Sequence, residues 1–166
     1  LKKLEVDTAQ MKEKLDGMSG VLEKGSARAG REIFFGKKAG CTACHTVGGE
    51  GGKVGPDLTK IGSIRAGRDL LEAIVFPSAS FARGFEPFLI RTKGGAVHDG
   101  LVARETPDAI YLFTAERVEK RTPRASVDVI QQSKVSIMPQ GLDNQLTRDE
   151  LRDLIDGYLL NVDGHD

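Results

Sequence analysis

Cys41-Thr42-Ala43-Cys44-His45 is the one run in this sequence whose residue types and spacing carry chemistry on their own. Residues three and four apart share a face of a helical turn, so two thiols and an imidazole can meet one object. A haem is such an object. The thiols add to its two vinyl groups while His45 reaches the iron from the same side. Three other chemistries compete for these residues. A thioredoxin-like dithiol wants a βαβ setting, whereas this stretch reads as helix and glycine loop. A zinc ribbon needs a second ligand pair, and the chain holds only 2 Cys. A disulfide between Cys41 and Cys44 leaves His45 without a role.

Composition narrows the field further. The chain has 166 residues, enough for one domain with a small module. Its 24 Lys+Arg balance 24 Asp+Glu, which argues against a nucleic-acid binder or an anionic-membrane binder. The balance is a cancellation between a mildly basic front and an acidic stretch after residue 138. No apolar run reaches the length of about 18 residues that a membrane span needs. The sequence starts at Leu1 without a signal peptide, so it reads as a processed or excised piece of a longer protein. With 7 Phe, 2 Tyr and no Trp, large core side chains are scarce. A porphyrin as the flat apolar body of the core fits that scarcity.

The elements that must position the motif come next. Leu1, Leu4, Thr8, Met11, Leu15, Met18 and Leu22 alternate at spacings of three and four, predicting a helix over 1–24. Gly17 and Gly20 weaken its end. That helix either lies on its own domain or forms a short dimer seam. Ser26 caps a second helix through Arg28, Ile33 and Phe34. Gly36 to Gly55 is glycine-rich and predicts a loop around the motif. Leu70, Leu71, Ile74 and Val75 mark a further helix that Pro77 stops.

From Pro87 the period changes to that of strands. Phe88 to Thr92 and Ala96 to Arg104 flank a glycine turn, and strands follow at Ile110–Phe113, around Val118 and at Val127–Ile130. This predicts an antiparallel module of four or five strands, its edges blunted by Lys93, Arg104, Glu119, Lys120 and Arg121. The module is either decoration over the cofactor or a docking surface. Thr147-Arg148-Asp149-Glu150 is a capping box. Behind it, Leu151, Leu154, Ile155, Tyr158 and Leu159 form one apolar stripe.

These segments together resemble a class I c-type cytochrome domain. Gly30 and Phe34 resemble that family's N-terminal helix contacts, Cys41 to His45 its attachment site, and Gly55-Pro56-Asp57-Leu58 the segment after it. Met138-Pro139 resembles the distal ligand motif, and Leu151 to Leu160 the closing helix with its aromatic Tyr158. Pro77-Ser78-Ala79, Gly84-Phe85-Glu86 and Met138-Pro139-Gln140-Gly141-Leu142 resemble, more narrowly, a haem-binding domain appended to large multidomain bacterial proteins. The resemblance spans residues 26–86 and 137–160. His45 and Met138 stand farther apart than in the simplest family members, and the strand-rich stretch between them accounts for the difference as an insertion.

The resemblance implies an α+β chain: an all-α haem domain from 26–86 and 137–166, a β module inserted at 87–136, and an amphipathic helix at 1–25. It implies one covalent haem c on Cys41 and Cys44, with iron between His45 and Met138. The Pro56 carbonyl would orient His45, with Gly55 permitting close approach, and Leu58 and Ile61 would wall the site. Met11 and Met18 fall on the heptad stripe, His98 in a candidate strand and His165 in the tail, so Met138 is the favoured distal donor, a core-filling Met being its alternative. The implied role is a non-enzymatic electron carrier, periplasmic or otherwise extracytoplasmic, working between a redox donor and acceptor, on its own or as part of a larger dehydrogenase. A homodimer through the N-terminal helix or the β module is a further expectation. A haem sensor or peroxidase-like enzyme with a labile distal ligand is the alternative.

Overall fold

Ser26 and Thr147 start the two helices that frame the molecule. In the computed structural model, which describes residues 8–162, Ser26 Oγ accepts the Ala29 N–H at 3.3 Å and opens α2 (Ala27–Phe35). Thr147 Oγ1 accepts the Glu150 N–H at 3.1 Å, and the Glu150 carboxylate accepts the Thr147 N–H at 2.7 Å. That capping box satisfies two backbone donors that a helix start would leave bare. It opens α6 (Arg148–Arg152), which runs on into a wider π-helical segment, Asp153–Leu159.

α2 crosses this closing helix at Gly30. A Cβ there would collide with the Asp153 carbonyl and lie 2.7 Å from Tyr158 Cβ, so only glycine lets the backbones approach. Phe34 is buried beside the crossing, its ring centroid 5.6 Å from that of Tyr158. α4 (Gly67–Val75) adds Leu70, Leu71, Ile74 and Val75 to the same core, and Leu151, Leu154, Ile155 and Leu159 complete it.

The N-terminal segment is not one continuous helix. α1 (Thr8–Asp16) ends before Gly17, and a 3₁₀ turn at Ser19–Leu22 follows. Two glycines in four residues, each costing about 1 kcal/mol in a helix, account for the break. Leu15, Met18 and Val21 are buried, and Met11 and Leu22 pack on the same core. Lys14 pairs with Asp143 at 2.6 Å, Arg68 with Asp16 at 2.7 Å, and Arg148 donates to the Gly17 carbonyl at 2.9 Å. The described part of the apolar stripe is therefore spent inside the chain. Leu1 and Leu4 lie outside the described residues.

The strand-rich stretch forms one antiparallel sheet, ordered β6-β5-β4-β3-β7. Its strands are β3 (Phe88–Thr92), β4 (Val97–Glu105), β5 (Ala109–Phe113), β6 (Glu119–Pro123) and β7 (Val127–Gln132). β4 changes partner along its length: Val97 to Gly100 pair with β3, and Leu101 to Glu105 with β5. The sheet has its own small core of Ile90, Ile110 and Leu112, with Val102 and Val127 against it. Glu119, Lys120 and Arg121 stand on edge strand β6, as expected of edge-blunting charges. Arg104 instead lies on central β4 and reaches Glu119 at 2.8 Å, and Lys93 closes the β3–β4 turn onto the Ala125 carbonyl.

The helical part also holds a two-stranded hairpin, β1 (Thr46–Val47) and β2 (Glu50–Gly51), within the stretch read as loop. The described chain is thus α+β, with helices around one core and a five-stranded sheet beside it.

Candidate haem site

A single 3₁₀ turn, Cys41–Ala43, carries the chemistry. The Cys44 and His45 amides both donate to the Cys41 carbonyl, at 3.2 and 2.9 Å, so Cys41, Cys44 and His45 follow one another on a tight turn. The hairpin below pins this turn. Gly52 N–H donates to the Thr42 carbonyl and Gly55 N–H to the Cys44 carbonyl, each at 2.8 Å. Thr46 Oγ1 donates to the Gly52 carbonyl at 2.7 Å. Asp57 then accepts both the amide and the hydroxyl of Thr59, which hold its carboxyl below the ordinary carboxylate range.

His45 is fixed by two neighbours. Its Nδ1 lies 2.8 Å from the Pro56 carbonyl, which makes Nδ1–H the donor and leaves Nε2 as the free ring nitrogen. Gly55 closes against the ring: a Cβ there would be 2.8 Å from Cε1 and 3.0 Å from Nδ1. Burial lowers the imidazole's pKa, and the bond to Pro56 offsets part of that, so the ring is neutral and its lone pair available at neutral pH. Burial pushes the Cys41 thiol up to about 11. A redox-active dithiol depends on a depressed thiol pKa, so this site is built the other way.

Cys41, Cys44, His45, Pro56, Leu58, Ile61 and Met138 all line one cavity of about 330 Å³, within the size range of cofactor sites. Met138 is the only methionine on its wall, and like Met11 it also packs against the main core, in which Met18 is buried. His98 sits on β4 opposite Ile90 and does not line the cavity. His165 lies outside the described residues. Among the described residues no group of three or more His, Cys, Asp or Glu is placed to hold a metal ion, so the zinc alternative has no cage. Two thiols and one imidazole at this spacing on an apolar cavity fit instead the attachment motif of a covalent haem.

Other wall residues were not singled out from the sequence as such. Phe81 and Phe85 follow α4, and Leu101, Phe113, Thr114, Ala115 and Arg117 come from the sheet. Leu101 and Phe113 are direct cross-strand partners, which places both on one face at the cavity. Arg117, in the turn after β5, adopts a left-handed backbone with φ 63°. Its Nη2 lies 3.2 Å from where a Cβ on Gly40 would stand, so the sheet's turn touches the residue preceding Cys41. Pairing register, which a single sequence does not reveal, puts these residues there.

Residues 27–87 match the family model for Cytochrome c. No curated protein matches the chain. Among the described residues no helix is long and apolar enough to cross a membrane. The matched stretch contains the whole 3₁₀ turn with both thiols, His45, Pro56, Leu58 and Ile61. Residues 27–87 accordingly match a cytochrome c domain, a match that implies haem-binding electron transfer, and Cys41, Cys44 and His45 fit the CxxCH attachment motif of one covalent haem c.

Proposed function

We propose that this chain carries single electrons between redox proteins, with its haem iron held between His45 and Met138. The observation that carries the reading is the convergence of Cys41, Cys44, His45 and Met138 on one apolar cavity, although Met138 lies far outside the matched stretch. The bound haem supplies an iron that cycles between ferrous and ferric states. Every other contribution is the chain's. Pro56 fixes the His45 tautomer and makes Nε2 the better donor. Met138 would offer the iron a soft thioether, which would favour the reduced state and raise the potential. Leu58 and Ile61 hold water away and so disfavour the extra charge of the oxidised site. An iron held by both His45 and Met138 would leave oxygen and peroxide no open place to bind, which would suit electron transfer rather than catalysis.

In this reading residues 26–86 and 137–166 form the haem domain, 1–25 are an N-terminal segment whose described part packs on it, and 87–136 are an inserted module that completes the cavity wall. Because the described part of the N-terminal stripe packs internally, association through that helix is not part of the proposal. Haem c attachment belongs outside the bacterial cytoplasm, so the working site is extracytoplasmic, with a protein donor and acceptor. The test is the oxidised holoprotein's methionine-to-iron charge-transfer band. It is expected in the parent protein and lost in Met138→Ala; a band that survives the substitution overturns the ligand assignment.

A further inference from the structure

Met138 sits in the segment that returns from the sheet, and a series of serines ties that segment down. Ser133 N–H donates to the Pro87 carbonyl at 2.8 Å, so the chain leaves the sheet beside the point where it entered. Ser133 Oγ accepts the Val135 N–H at 3.2 Å. Ser136 N–H then donates to Ser78 Oγ at 3.0 Å, across 58 residues of sequence. Ser136 Oγ in turn accepts the Met138 N–H at 3.1 Å. Gln140 Nε2 reaches back to the Val75 carbonyl at 3.4 Å.

Ser78 is the pivot of this series. It follows Pro77 just past the end of α4, whose Leu70, Leu71, Ile74 and Val75 are buried in the main core. Its hydroxyl is therefore carried by a rigid support, and the Ser136–Met138 segment hangs from it. Both tie points are half-buried, and Ser136 itself lines the cavity. A hydrogen bond shielded from water keeps more of its strength than an exposed one. The flexible thioether of Met138 has three rotatable bonds and does not place its own sulfur, so the backbone at 136–138 must do that.

We infer that Ser78 and Ser136 are positioning residues for the distal ligand: the Ser78–Ser136–Met138 relay fixes the loop that presents the Met138 sulfur. The inference rests on the reading of Met138 as the axial donor. Losing one of these hydrogen bonds weakens the bound state of Met138 relative to its released state, and an external ligand then competes better.

The experiment is an imidazole titration of the ferric holoprotein, followed by loss of the methionine charge-transfer band. Ser78→Ala should bind imidazole about fivefold more tightly than the parent, the equivalent of one ordinary hydrogen bond. Ser78→Thr, which keeps the hydroxyl, should restore the parent affinity. Ser136→Ala, which removes the second acceptor, should reproduce the effect and covers the case of a misfolded Ser78→Ala. A purely structural role would lower the thermal midpoint and leave imidazole affinity unchanged, and that result overturns the relay. A parent protein without the band overturns the axial reading and the relay together, whereas a parent band with unaltered serine variants overturns the relay alone.

Discussion

Gly55 shows how far one hydrogen atom in place of a methyl can matter. His45 holds its ring against this glycine, with 2.8 Å from the missing Cβ position to Cε1. Gly55→Ala must push either the ring or the Pro56 loop aside, at a cost of about 1–3 kcal/mol. The expected outcome is a lower thermal midpoint together with a mixture of ligation states in the oxidised absorption spectrum; a parent-like spectrum would show that the contact is not needed. At this scale the sequence was most informative. The attachment motif was legible because residue type and spacing restrict what its groups can do, and the Pro56 bond to His45 was legible through the family resemblance. Ser78 was quoted only as part of a motif. Its partner at Ser136 is 58 residues away, and no local pattern announces a bond of that range.

Helix ends and crossings carry the next level. Gly30→Ala would drive a methyl into the Asp153 carbonyl and Tyr158 Cβ, forcing α2 off the closing helix. A loss of about 2–3 kcal/mol is expected, read as a fall of about 4–12 °C in thermal midpoint. Thr147→Ala removes the cap of α6 and should cost about 1 kcal/mol by denaturant titration. Glu150 completes that cap, and the Lys38 ammonium, then the Thr147 amide, lower its pKa from the ordinary 4.5. A lowered carboxylate pKa favours the folded state above 4.5, and the contribution is lost as pH falls through the folded value. Parent and Glu150→Gln should therefore differ in thermal midpoint at neutral pH and converge in acid. The capping box, the α2 and α4 positions and a sheet of four or five strands followed from caps, breakers and periodicity, although the strand expected around Val118 starts just after it, at Glu119. The break at Gly17 follows from the two glycines that weaken that helix, whereas the π-helical turn at Asp153–Leu159 did not follow, since tertiary packing decides it.

At the scale of the whole molecule the sheet ceases to be an ornament. It has its own core, yet it lends Leu101 and Phe113 to the cavity wall. Replacing both by Ala should admit water beside the iron and lower the reduction potential, measured by equilibrium redox titration; an unchanged potential would return the sheet to a role outside the site. Strand order and the change of partner along β4 put these residues at the cavity, and neither is encoded locally. The scarcity of aromatic side chains also gains a meaning: four of the seven Phe, namely Phe34, Phe81, Phe85 and Phe113, are in the helix crossing or on the cavity wall. What remains of the large apolar core is the porphyrin's to supply. The central claim, an iron closed on both sides by His45 and Met138, is tested most directly by adding carbon monoxide to the reduced holoprotein. The account predicts an absorption spectrum that does not change. A rapid shift to a carbon monoxide spectrum would contradict it and turn the reading toward a haem sensor.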